Sequence, residues 1–268
     1  MNQVYDFKRI MLLARFKFSL HKKTLMLTVL GYFALLFIIG FFIAYASRNN
    51  TEELQFFGPF HYVGMLIMIL LGGIVLASRA FQDMNTPEKA ITQILIPAST
   101  FEKFILPLVS TFFIWVVFSF ISYHVFSLVF NCVWVCAFGF EFEVFNGFKV
   151  FNYPWVIEII LVFLLTHSAF LLGAATFKKY PMVKTILSQW IIQWAYSLLA
   201  IVVILILFGS MEHFGLSMNK LDEILEQKGW VNPEKIVMQL RYLLRFTMFV
   251  LSVALYFTAY FKLKEREV

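Results

Sequence analysis

Polar side chains are rare in the apolar stretches of this sequence, so the few present are the first candidates for chemistry. His124 and His167 could ligate a metal or pass a proton, and Gln189 and Gln193, four apart, could bond a neighbouring helix. His124 falls about 30 Å along its helix from the inner start, near the outer face. His167 falls roughly 15 Å from the inner end of its own span. At such different depths the two histidines do not form a metal or proton-relay pair. Cys132 and Cys136, also four apart, have Cβ atoms about 5–6 Å from each other on a helix, too far for an unstrained disulfide. They read as buried packing residues.

Chemistry inside a membrane otherwise needs paired carboxylates or an H-E-x-x-H helix, and the spans carry neither. Glu141 and Glu143 fall in an outer loop. No G-x-x-x-x-G-K-[ST] loop is present. Gly72-Gly73 lies inside an apolar span, where glycines permit close helix packing. The sequence therefore predicts no catalytic residue, no metal, no cofactor and no ATP site of its own.

The charged residues lie between the apolar stretches, and their spacing is informative. In the loop at 80–100, Thr86 can cap a helix that has Pro87 at its first position and Glu88 next to it. Ile91, Ile94 and Leu95 give that helix an apolar side, and Pro97 stops it. Ser99-Thr100-Phe101-Glu102 is then a capping box that opens the next long helix. A short capped helix with charged ends is a docking element. Upstream, residues 5–20 carry Phe7, Ile10, Met11, Ala14 and Phe18 on one helical stripe, with Lys8 and Arg15 on another side. Leu12, Leu13 and Phe16 interrupt the polar face. This pattern predicts an amphipathic helix lying in the membrane interface.

The elements between these signals are membrane spans. The chain has 268 residues, 61% hydrophobic and only 14% charged. Soluble domains carry about 25% charge, and a water-soluble fold of this size could not hide so much apolar surface. Soluble enzymes and nucleic-acid-binding domains are excluded, so the +6 net charge reports topology rather than a nucleic-acid partner. Six spans of about 20 residues or more are predicted at 24–46, 60–79, 101–130, 155–177, 185–208 and 241–262. The uncharged stretch 104–140 would be about 55 Å long as one helix. It is therefore predicted as one span followed by an apolar segment at the outer surface. Segments 1–23, 78–103, 178–184 and 262–268 hold 15 Lys and Arg, against 7 in the alternate segments, which places both termini in the cytoplasm. At 209–240, Asn219 and Asn232-Pro233-Glu234 predict an outer helical hairpin that runs into the last span. The fold expected is an all-α polytopic membrane protein forming one transmembrane domain.

This layout resembles that of the type-2 permeases of ABC exporters. Leu95-Ile96-Pro97-Ala98-Ser99-Thr100-Phe101-Glu102-Lys103 is similar to the LP-S-x-x-E-K stretch of bacterial members, with Ile96 in place of the usual Leu. The closing Phe261-Lys262-Leu263-Lys264-Glu265-Arg266-Glu267 is similar to their short basic tails. The resemblance implies an efflux permease of the bacterial inner membrane that pairs with a second permease copy or a paralogue and with a separate ATPase subunit. It also implies that the interfacial helix and the loop helix touch the ATPase. Thr86, Glu88, Lys89, Ile91, Leu95, Glu102 and Lys103 are then the coupling candidates. Spans one, two and five would line the dimer interface. The alternatives are a membrane scaffold or immunity-type protein, an ion-coupled carrier and an intramembrane enzyme. The 34 phenylalanines and the near absence of intramembrane charge point to a hydrophobic or amphipathic substrate.

Overall fold

The computed structural model describes residues 6–47, 57–86, 88, 90–91, 95–138, 145–208 and 233–267. Among the described residues the regular structure is all helical. The first helix, α1 (Phe7–Ser47), starts at Asp6, whose carboxylate accepts from the Lys8 amide at 2.9 Å. It has 41 residues, about 60 Å. The sequence predicts an interfacial helix separate from the first span, but the helix is unbroken. The reason is local: no proline occurs in it, and no glycine before Gly31.

Helix α2 (Phe57–Ser78) returns beside α1, and a 3-10 turn at Gln82–Met84 follows it. The third span is α3 (Thr100–Val109), a π-helical segment (Ser110–Ile114) and α4 (Trp115–Phe138), continuous with one another. It runs eight residues past the predicted end at 130, because neither proline nor glycine follows Pro107 until Gly139. The apolar residues predicted to lie along the surface instead continue the helix. A 3-10 helix (Gly147–Asn152) leads to α5 (Val156–Thr176), then α6 (Pro181–Phe208) and α7 (Pro233–Glu267).

Among the described residues five stretches are long and apolar enough to cross a membrane: Phe7–Ile43, Phe60–Met84, Thr100–Ala137, Val156–Thr176 and Met238–Arg266. The predicted span at 185–208 falls within the 28-residue α6, which is not among the five. Residues 209–232, the first part of the predicted outer hairpin, lie outside the described residues; 233–240 form the start of α7. Large apolar side chains such as Leu30 on α1, Trp190 on α6 and Phe246 on α7 face outward. In water such a surface would aggregate, whereas in hydrocarbon it is the lipid-facing surface of a multi-pass protein.

Contacts fix the helix directions. Arg245, early in the described part of α7, pairs with Glu158 in the first turn of α5, and Arg266 at the end of α7 donates to the Ala174 carbonyl near the end of α5 at 3.3 Å. The two helices therefore run parallel. The first turn of α3 lies against both the start of α1, through Glu102, and the end of α7, where Tyr260 packs on Phe104 with centroids 5.6 Å apart. The beginning of α1 and the end of α7 thus share one end of the bundle, called the basic end below.

One buried cluster lies at the basic end (Phe81, Phe104, Leu171, Ala259, Leu263) and another toward the opposite end (Met65, Tyr123, Phe130, Trp134). The Gly72-Gly73 pair permits close packing as the sequence suggests. A Cβ at Gly72 would run into the Trp115 indole, and one at Gly73 would meet the Phe163 ring at 2.7 Å.

Candidate functional site

Charge at the basic end is organised around two carboxylates. The capping box forms as the sequence predicts: the Ser99 hydroxyl accepts from the Glu102 amide at 3.2 Å, and Glu102 accepts from the Ser99 amide at 2.9 Å. The same carboxylate reaches across to α1, accepting from the Asp6 amide at 2.7 Å and from the Arg9 guanidinium at 3.0 Å. Glu102 is 0% exposed and Lys103 is also buried. Glu102 is therefore an internal tie, and Lys103 beside it is enclosed by the chain rather than set on an open face. The second carboxylate, Asp83, lies 3.9 Å from both Lys17 and His21 of α1.

Of the loop helix expected at 86–95, the described residues Glu88, Ala90, Ile91 and Leu95 are helical, and the Ala90 amide bonds the Thr86 carbonyl at 2.9 Å. Pro87, Lys89 and 92–94 lie outside the described residues. Thr86 and Glu88 are exposed, as are Ile91 at 60% and Leu95 at 75%. Ile96, Pro97 and Ala98 then line a small recess together with Arg9, Leu12, Leu13 and Phe16 of α1. The face of α1 that packs is thus the one carrying Leu13. The predicted stripe leaves Phe7 and Phe18 exposed and Ile10 half-buried, while Lys8 and Arg15 are exposed. The start of α3 packs on the Leu13 side of α1, and Phe7, Met11 and Phe18 of the predicted stripe face outward.

Between α1, α2 and the third span lies a groove of about 740 Å³. Its α1 wall runs from Ala14 to Tyr32, about 27 Å. Met68, Leu71, Val75 and Leu76 of α2 face it, and Leu106, Ile114 and Trp115 form the third side. Aromatic contacts close the far end: Phe33 stacks on Phe126 with centroids 4.7 Å apart, and the Tyr32 hydroxyl donates to the Gly64 carbonyl at 2.5 Å. Exposed wall residues, among them Phe18, Leu71 and Ile114, leave its side open. Arg15, Lys22 and Arg79 line the basic end. A cavity of this size, mostly apolar with a few convergent polar groups, has the character of a small-molecule site.

The π segment forms part of the groove wall. Pro107 supplies no amide to the helix, and its carbonyl accepts from the Ser110 and Thr111 hydroxyls at 3.1 and 2.7 Å. His167 on α5, 0% exposed, has Nε2 2.9 Å from Thr111 Oγ1 and Nδ1 2.9 Å from the Tyr256 hydroxyl on α7. A carbonyl can only accept, so Thr111 donates to Pro107 and accepts from His167. The imidazole then carries its proton on Nε2, and Nδ1 accepts from Tyr256. This chain of bonds ends at a carbonyl. It joins the third span, α5 and α7.

The other predicted residues are dispersed. His124 Nδ1 lies 2.7 Å from the Phe120 carbonyl, while Nε2 accepts from the Gly147 amide at 3.2 Å, tying the 3-10 helix Gly147–Asn152 to α4. Gln189 is half-buried and Gln193 exposed, and neither side chain bonds another helix among the described residues. Cys132 and Cys136 are free and exposed, which corrects their reading as buried: they sit on the outward side of α4. Among the described residues no cluster of His, Cys, Asp or Glu could hold a metal. Sequence reasoning missed His61, which is buried and 3.2 Å from Asn131, and it missed the groove rim of Arg15, Lys22 and Arg79 as a unit. The one available signal was Pro107 followed at three and four residues by Ser110 and Thr111. Comparison with protein-family models, curated proteins and solved structures finds no match for this chain.

Proposed function

We propose that this chain is the permease subunit of an ATP-driven exporter of the type-2 ABC kind, providing the path for a hydrophobic or amphipathic substrate. A separate ATPase supplies the energy, and a second permease copy or a paralogue completes the unit in a bacterial inner membrane. The observation that carries this reading is the laterally open, mostly apolar groove, bounded at its basic end by Asp83 and by the Glu102 tie. The loop between those two carboxylates presents Ile91 and Leu95 outward. Force on that loop would reach both α1 and the third span, the walls of the groove.

The basic end is assigned to the cytoplasm because Lys and Arg collect there. Parallel α5 and α7 support a sixth crossing: the chain between them has to return along the bundle, and α6 is about 42 Å long. The test is to purify the tagged full chain from its own membranes in mild detergent and assay magnesium-dependent ATP hydrolysis in the eluate. Hydrolysis that co-elutes with the chain is expected. A chain that elutes without it is a scaffold or carrier.

A further inference from the structure

The groove has a property that transport alone does not require: its two ends differ in charge. Among the described residues Asp83 is the one acidic residue lining it, and that carboxylate already faces Lys17 and His21. Arg15, Lys22 and Arg79 stand at the same end with no ion pair among the described residues. Beyond them the wall from Leu25 to Tyr32 is mainly apolar over about 10 Å. That fits within the roughly 15 Å that one leaflet contributes to a hydrocarbon core of about 30 Å. Left empty, the wall would forfeit dispersion contacts on one side. In a membrane, the open side of the single chain's groove would meet lipid.

We propose that the groove is a binding site for an anionic phospholipid of the adjoining leaflet, with its phosphate among Arg15, Lys22 and Arg79 and one acyl chain along Leu25, Val75 and Trp115. The charge selects the class: a cationic amphipath would meet three bases, and a zwitterionic lipid would bring a positive group to them. Basic recesses between membrane helices at the cytoplasmic side suit anionic headgroups for this reason. The inference deepens the permease reading by naming the ligand of the same groove, and it rests on that reading only for the lipid's being cargo. Binding itself needs no ATPase.

The test uses the delipidated full chain, without ATP or partner, titrated with phosphatidylglycerol or phosphatidylcholine of matched chains and followed by native mass spectrometry. Phosphatidylglycerol is expected to bind preferentially. The preference should weaken by roughly fivefold for each charge removed through Arg15→Gln, Lys22→Gln and Arg79→Gln. Phosphatidylglycerol with brominated acyl chains should quench wild-type tryptophan fluorescence more than that of Trp115→Phe, a readout that holds even if a charge variant fails to fold. Equal affinity for the two lipids overturns the proposal. Quenching unchanged by Trp115→Phe, or saturation only by a second copy of the chain, also overturns it. Those failures leave co-eluting ATP hydrolysis untouched, whereas loss of that hydrolysis leaves lipid binding intact, so the two readings fail separately.

Discussion

The Arg9 guanidinium sits 3.0 Å from the Glu102 carboxylate, pinning the first turn of α1 to the first turn of α3. The two residues are 93 positions apart, and the same offset recurs where Phe33 stacks on Phe126, Phe37 meets Phe130 and Phe41 meets Trp134. Helix α1 and the third span therefore run side by side in one register, joined by charge at one end and by aromatic rings at the other. The groove opens between the two joints, so both of them hold its shape.

The first prediction concerns the charged joint. Glu102→Ala removes the capping box and the acceptor for Asp6 and Arg9 together. A lost cap costs about 1 kcal/mol, and the stranded partners add to it, for a total of about 2–4 kcal/mol. Arg9→Gln should cost less, because the guanidinium is 34% exposed and regains water. Unfolding midpoints in detergent should fall in the order wild type, Arg9→Gln, Glu102→Ala. Equal midpoints for all three would mean that the joint contributes nothing.

The buried histidine gives a second prediction. Thr111→Val leaves the His167 Nε2–H without an acceptor, at a cost of about 1–3 kcal/mol. Tyr256→Phe leaves Nδ1 without a donor and should cost a similar or smaller amount. Replacing His167 by Phe in the Thr111→Val chain removes the stranded donor and should recover part of the loss. A thermal-unfolding series that shows no recovery would contradict the assigned direction of the bonds.

A third prediction tests the glycine contact. Gly72→Leu drives a side chain into Trp115 and should destabilise by about 1–3 kcal/mol through overpacking. Trp115→Leu in the same chain makes room and should restore abundance, a non-additive pair. If both single changes are silent, α2 and the third span are not in the contact described.

Orientation is tested by labelling. With Cys132 and Cys136 replaced by serine, single cysteines at Asn50 and Lys220 should react with an impermeant maleimide in intact cells, whereas one at Lys184 should not. Labelling at 184 would reverse the assigned orientation.

What was legible in the sequence was local. The capping box could be read because Ser99 and Glu102 are three residues apart, and the spans could be read from uncharged runs. Helix ends were harder, because nothing between Pro107 and Gly139 or between Asp6 and Gly31 breaks a helix. The groove was not legible at all. Its walls come from three helices, and the bonds that shape it join residues such as Thr111 and His167, 56 positions apart, or His167 and Tyr256, 89 apart. Exposure misled for Glu102: a carboxylate at a helix start looks like surface, yet the neighbouring α1 buries it.

Coupling of the groove to an ATPase through the loop at 86–95, as proposed above, is tested by disabling that loop. Ile91→Asp with Leu95→Asp changes two exposed side chains, so it should leave abundance and unfolding midpoint near wild type. At a docking surface the two buried charges would cost several kcal/mol. The decisive measurement compares magnesium-dependent ATP hydrolysis co-eluting with the tagged wild type and with this double variant, with Glu88→Lys as a third chain. Hydrolysis is expected with the wild type, at least tenfold less with the double variant at equal membrane abundance, and a reduced level with Glu88→Lys. Hydrolysis unchanged in the double variant would contradict coupling through this loop, and no hydrolysis with the wild type would contradict the permease reading itself.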